Sequence, residues 1–121
     1  MTAFSEIDLH DAELLEFVVT SHANFFQNAC LSVHLVNGKK AKLVFENCFS
    51  IDASFSQWID SHDSINRWSF DMTEKQQRRI EQFEDRVRLK VKDDFCCFSA
   101  VTNITNSRIE IIAKSMFFIV E

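Results

Sequence analysis

The sequence of 121 residues contains one glycine, Gly38, and no proline. A chain of this length and average composition would contain about eight glycines and six prolines. Loops that hold phosphate need several glycines, because their backbone must approach the anion closely, so P-loops and dinucleotide-binding fingerprints are excluded. The glycine-flanked nucleophile elbow of hydrolases is also missing, as are proline-rich and collagenous repeats. Asn, Asp and Ser must therefore supply the turns.

Lysine and arginine are absent from residues 1–38. That segment contains five acidic residues and accounts for the whole net charge of −5, because the rest of the chain holds 13 basic and 13 acidic side chains. We therefore do not expect the segment to bind nucleic acid. A basic protein is one candidate partner, since an acidic patch accelerates encounter with one. The interpretation that the charge alone favours is a solvated acidic strand that only keeps the protein soluble.

Several cysteine and apolar patterns are also missing. The four cysteines, Cys30, Cys48, Cys96 and Cys97, have no C-x-x-C spacing, which argues against a zinc ribbon. No basic segment followed by an apolar run opens the chain, and the longest apolar run, residues 116–120, is too short to span a membrane. We expect a cytoplasmic protein with reduced thiols that are mostly buried, and with no membrane partner and no cofactor.

The clearest hairpin surrounds Asn37-Gly38, between alternating strands at 29–35 and 41–47. A two-residue loop would place the apolar faces of these strands on opposite sides of the sheet. A three-residue loop ending at Gly38 keeps them together and puts the glycine where positive φ is needed. This loop pairs Leu35 with Lys39, Leu31 with Leu43 and Val33 with Ala41.

Two capping-box patterns predict helical segments. Thr73-x-x-Gln76 predicts a helix over about 74–85, with Ile80 and Phe83 on its apolar face. Ser54-x-x-Gln57 predicts a short helical turn over 54–60.

Further strands are predicted at 12–20, 65–72, 86–92, 95–102 and 108–120, although a short helix is a second interpretation of 12–20. With the hairpin, this gives about seven strands and one main helix. A parallel sheet needs several crossover helices, so we predict an α+β fold with a mostly antiparallel sheet, arranged as a sandwich or a half-barrel. The length fits a single domain over residues 1–121.

Two His-Asp doublets, His10-Asp11 and His62-Asp63, are candidate metal ligands. They suggest a small metal-dependent hydrolase or a ligand-binding domain, if the fold brings them together. The other interpretation is that they are polar turn residues at strand ends. The cysteines have no base nearby in sequence, so we predict no catalytic residue and no enzyme.

Three segments carry a resemblance to a known group: residues 9–15 (LHDAELL), 43–48 (LVFENC) and 107–113 (SRIEIIA). They resemble small bacterial immunity proteins of polymorphic-toxin and contact-dependent growth inhibition systems. The resemblance implies a sheet-rich α+β fold without catalysis. It also implies a function, namely neutralising one cognate toxin by stoichiometric binding.

The resemblance and the charge distribution together predict a contact surface. Many such toxins act on nucleic acid and are basic around the active site, which an acidic surface can cover. We predict that partner-binding residues are Asp8, Asp11, Glu13, Glu16, Asp60 and Asp63. A homodimer through an exposed sheet edge remains a further possibility.

Overall fold

The computed structural model describes residues 7–21, 27–54, 63–91, 94–104 and 106–121. Within them, the elements in chain order are β1 (Glu13–Ser21), β2 (Gln27–His34), β3 (Lys40–Ser54), β4 (Ile65–Ser69), α1 (Glu74–Val87), β5 (Cys96–Thr102) and β6 (Arg108–Val120). The strands form one antiparallel sheet with the order β1-β2-β3-β6-β5-β4. The α+β prediction is confirmed, with six strands in the described residues instead of about seven. No helix in this part of the chain is long and apolar enough to cross a membrane.

The two edge strands of the sheet meet at one end. Glu13 forms an isolated antiparallel bridge with Ser64. The Leu14 N–H donates to the Asp63 carbonyl and the Ile65 N–H donates to the Ala12 carbonyl, each over 2.8 Å. We call this contact between residues 11–14 and 63–65 the seam. Because β1 and β4 are opposite edges, the sheet must curl to form it, which gives a half-barrel instead of a sandwich.

The main core fills the inside of this curl. Phe98 is fully buried, with its ring centroid 5.4 Å from that of Phe45 and 5.5 Å from that of Phe70. Leu31 and Leu43 lie in the same cluster. Fully burying a side chain of this size contributes about 1.5–3 kcal/mol, so these residues dominate the stability of the sheet.

Helix α1 packs on the outer face of the sheet, over β5 and β6. Ile80 is fully buried against Cys97 and Ile112, which alternate along their strands with residues of the main core. The predicted capping box is confirmed, because the Thr73 hydroxyl accepts from the Gln76 N–H and the Gln76 side chain accepts from the Thr73 N–H. The helix therefore begins where the sequence predicts.

The predicted hairpin is confirmed. Leu31 pairs with Leu43 and Val33 pairs with Ala41. The Leu35 N–H donates to the Lys39 carbonyl over 2.8 Å, which closes a three-residue loop. Gly38 has φ +88°, a conformation that side chains other than glycine rarely adopt.

The predicted strand at 86–92 is wrong. Helix α1 continues to Val87 and ends at Arg88, whose φ of 58° is left-handed. The buried Glu84 carboxylate then accepts from the Val91 N–H over 2.8 Å. These local hydrogen bonds outweigh the alternating pattern, and no described residue of 88–91 belongs to a strand.

Other predicted bounds also change. The strand predicted at 65–72 ends at Ser69, and the one predicted at 41–47 continues as β3 to Ser54. Ser54 thus ends a strand instead of opening a helical turn. The rest of that predicted turn, 55–60, lies outside the described residues.

Candidate functional site

Four predicted contact residues lie on the turn before β1 and on β1 itself. Asp8, Asp11 and Glu16 are exposed, and Glu13 is half-buried. Glu13 and Glu16 pair across the sheet with His34 and Ser32, which alternate with the buried residues of β2, so both face outward. We call Asp8, Asp11, Glu13 and Glu16 the acidic face. Residues 7–38 contribute no lysine or arginine to it.

The turn is shaped so that its charges point away from the core. Leu9 and Ala12 are fully buried, and the Ala12 N–H donates to the Leu9 carbonyl over 3.0 Å. The Asp8 carboxylate accepts from the His10 N–H over 2.9 Å. Asp11 has φ 54°, a left-handed conformation that Asp tolerates better than most residues. The apolar residues therefore fix the turn while the carboxylates stay in solvent.

The seam anchors Asp11 to the opposite edge of the sheet. Its N–H donates to the Ile65 carbonyl over 3.0 Å. The Asn103 side-chain amide donates to the Asp11 carboxylate over 3.3 Å and to the Ser64 hydroxyl over 2.8 Å. Ser64 and Asn103 continue the ladder between β4 and β5, in which the Asn103 N–H donates to the Ser64 carbonyl over 2.8 Å.

Asp63 differs from the other predicted contact residues. It is only 4% exposed, and its Oδ1 accepts from the N–H of Ser64 over 3.0 Å and of Ile104 over 2.8 Å. A carboxylate buried in this way connects residue 63 to the turn after β5 and does not present its charge to a partner. Asp63 is therefore removed from the predicted contact surface. Asp60 lies outside the described residues.

Asp11 and Asp63, one residue from each His-Asp doublet, both lie at the seam. His10 Nε2 lies 3.3 Å from the Asp11 carboxylate, and Asn103 connects Asp11 to Ser64, the neighbour of Asp63. His62 lies outside the described residues. Among those that are described, no group of three or more His, Cys, Asp or Glu could hold a metal ion.

Arg79 and Arg86 line a cavity of about 230 Å³ between α1 and β3, together with Phe49 and Phe83. Arg79 donates to the Ser50 hydroxyl, so part of its hydrogen-bonding capacity is already used.

A second cation, Lys75, ties the helix to the sheet. It lies 2.6 Å from the Asp52 carboxylate and 3.5 Å from that of Glu110. The hydrogen bond and charge of Lys75 lower the pKa of Asp52, and Asp52 in turn raises the pKa of Lys75. These partly exposed pairs connect α1 to β3 and β6 but contribute little to stability.

Burial controls the chemistry of two cysteines. It raises the pKa of Cys48 and of Cys97 to about 11, and the neighbouring Cys96 adds to the effect on Cys97. Because the thiolate is the reactive form, we expect both to react about 100-fold more slowly than an ordinary thiol near neutral pH.

Timed alkylation with iodoacetamide, followed by peptide mass spectrometry, measures this difference. The half-buried Cys30 should be modified in the native protein well before Cys48 and Cys97. In urea the difference should disappear. Equal native rates for Cys30, Cys48 and Cys97 would contradict the buried positions of the last two.

Comparisons of the chain with models of known families, with curated proteins and with solved structures return no match.

Proposed function

We propose that the protein is an immunity protein that neutralises a basic, nuclease-like toxin domain by binding it through the acidic face. The observation that carries the proposal is the concentration of four carboxylates on one turn and one edge strand, in a segment without lysine or arginine. The resemblance of residues 9–15, 43–48 and 107–113 to immunity proteins supports the same function. Such a protein would act in the cytoplasm, with no catalytic step.

Charge explains how this surface would work. A toxin that binds nucleic acid needs lysine and arginine around its active site to neutralise phosphates. Carboxylates on the acidic face would pair with those cations and exclude the substrate. Opposite charges also steer the two proteins together, so association should be fast and should slow as salt is added.

The seam supports the proposal by holding the turn in one conformation. Asp11 is fixed through its backbone by Ile65 and through its side chain by Asn103. A surface that is already ordered loses less conformational entropy when it binds. More of the electrostatic attraction therefore appears as affinity.

Reversing the charge of the acidic face tests the function. The variant Asp8→Lys, Asp11→Lys, Glu13→Lys, Glu16→Lys should bind the cognate toxin domain at least 100-fold more weakly, because like charges across an interface cost several kcal/mol. Cells producing that toxin should lose protection. Titration calorimetry at two salt concentrations and a growth assay measure the two effects.

A matched control changes four exposed acids elsewhere: Asp71→Lys, Glu74→Lys, Glu81→Lys and Asp85→Lys. It alters net charge equally but leaves the acidic face intact, so affinity should change less than 10-fold. Thermal melts establish that both variants are folded. If the folded acidic-face variant keeps the original affinity and still protects the cells, the proposal is wrong.

A further inference from the structure

One half of the outer sheet face carries an apolar row that no described element covers. The register places Val18, Cys30, Val44 and Phe117 side by side on β1, β2, β3 and β6. None of them belongs to either core cluster. Val18 is 39% exposed and Phe117 is 37% exposed. Helix α1 lies over the other half. Its Arg79 donates to Ser50 on β3, and its Gln76 donates to backbone carbonyls on β5 and β6.

The next row along the same face is charged. It contains Glu16 on β1, Ser32 on β2, Lys42 on β3 and Ile119 on β6. The acid and the base thus lie one strand to either side of β2, and both are exposed. Lys42 also lies 3.5 Å from Glu121 of the same chain, in a solvated pair that contributes little.

We propose that a second copy of this chain packs on this face, about a two-fold axis that runs along β2. Rotation about that axis exchanges the positions of β1 and β3 and keeps each row at its own level. Glu16 then meets Lys42 of the partner subunit, and Val18 meets Val44 of the partner subunit. Cys30 lies at the axis, opposite Cys30 of the partner subunit. The face is therefore complementary to itself in charge and in apolar character, as a two-fold interface requires.

The charges select this axis over its neighbour. An axis between β2 and β3 would place Glu16 on Ile119 of the partner subunit and Lys42 on Ser32 of the partner subunit. Glu16 would then be covered without an opposite charge, which is costly, and Lys42 would keep only Glu121 of its own chain. Packing about β2 pairs both. A second acid and base, Glu13 and Lys40, flank His34 in the following row with the same arrangement.

The size of the contact predicts a reversible dimer. Sheets pack face to face about 10 Å apart, and three facing strands about 4.8 Å apart cover a narrow area. With about seven residues per strand, the two copies together bury on the order of 1,000 Å², near the lower limit for a specific interface. The dimer should therefore form in a concentration-dependent way in the micromolar range.

Charge reversal and charge exchange test the proposed contact, in sedimentation equilibrium of the purified chain. Glu16→Lys and Lys42→Glu should each raise the dimer Kd at least 10-fold, because each puts like charges together at two symmetric places. The double variant exchanges the charges and should return the Kd to within about 3-fold of the original. Lys90→Glu, on an exposed loop away from the face, is the matched control and should change nothing.

Crosslinking locates the axis independently. A short bismaleimide should join two copies through Cys30, and Cys30→Ser should abolish the product while Cys96→Ser keeps it. A chain that stays monomeric at several hundred micromolar overturns the proposal, as does a dimer that neither single reversal weakens or that the exchange does not restore. Circular dichroism checks that each variant is folded. Glu13 and Glu16 also belong to the acidic face, so a bound toxin and the partner subunit exclude each other there. No toxin enters these experiments, which therefore test the dimer separately from the proposed function.

Discussion

Replacing Asp63 with alanine should lower the free energy of unfolding by about 2–4 kcal/mol. The substitution removes the carboxylate, whose Oδ1 accepts from the backbone N–H groups of Ser64 and Ile104 at a site that is 4% exposed. Hydrogen bonds to a charged group contribute about 1.5–3 kcal/mol each, and water reaching the exposed Ile104 replaces part of the loss. Urea denaturation followed by circular dichroism measures the difference.

Two variants sharpen this result. Asp63→Asn retains an oxygen of the same shape without the charge, so its cost should be about 1 kcal/mol. Asp8→Ala removes an exposed carboxylate that accepts from the His10 N–H. The free energy of unfolding should therefore fall by less than about 1 kcal/mol. If Asp63→Ala is as stable as the original chain but binds the toxin poorly, then Asp63 is a contact residue and its structural assignment is wrong.

Replacing Gln76 with alanine should destabilise the protein by about 2–4 kcal/mol. Its side chain is 2% exposed and connects three elements: Nε2 donates to the carbonyls of Phe98 and Ile111, and Oε1 accepts from the Thr73 N–H. Alanine leaves a cavity, removes half of the capping box and takes a donor from two buried carbonyls. Thermal and urea unfolding should both report the loss.

The neighbouring glutamine is the control for that experiment. The Gln77 side chain is exposed and donates to the exposed Glu81 carboxylate, so Gln77→Ala should cost less than about 0.5 kcal/mol. Gln76→Glu places a carboxylate against two carbonyl oxygens, which raises the pKa of the new group in the folded state. Its cost should therefore grow as pH rises above about 4.3, the ordinary pKa of Glu. Equal stability of Gln76→Ala and Gln77→Ala would show that Gln76 does not anchor the helix.

Features of the fold that depend on neighbouring residues could be predicted from the sequence. The hairpin register follows from alternation and from the position of Gly38, and the start of α1 follows from Thr73 and Gln76. Both signals lie within a few residues of the structure that they specify. Each was therefore correct without knowledge of the rest of the chain.

The errors have two physical causes. The alternation at 86–92 has the period of a strand, but the Glu84 carboxylate accepts from the Val91 N–H. The helix also ends at Arg88, whose backbone is left-handed. The length of β3 was missed because Asn47 has φ 53° and the register shifts between Cys48 and Ser50, which interrupts the period of two. Irregularities of this kind break the pattern on which strand prediction depends.

The candidate site was predicted in composition but not in its details. The run of acids before Lys39 is visible in the sequence. The burial of Asp63 is not, because a polar residue in a turn is normally exposed and Asp63 is held by Ile104, which lies 41 positions away in sequence. The rows on the outer face also appear only once four strands have been placed in register.

The pairing of β3 with β6 has a consequence for how the chain folds. These central strands form the longest ladder in the sheet, yet their paired residues are about 50 to 80 positions apart in sequence. The β2–β3 hairpin can close within microseconds, whereas bringing β6 to β3 requires ordering a long loop first. We therefore expect the pairing of β3 with β6 to limit the rate of folding. Until this pairing forms, the apolar inner face of β3 is exposed to water and to other unfolded chains.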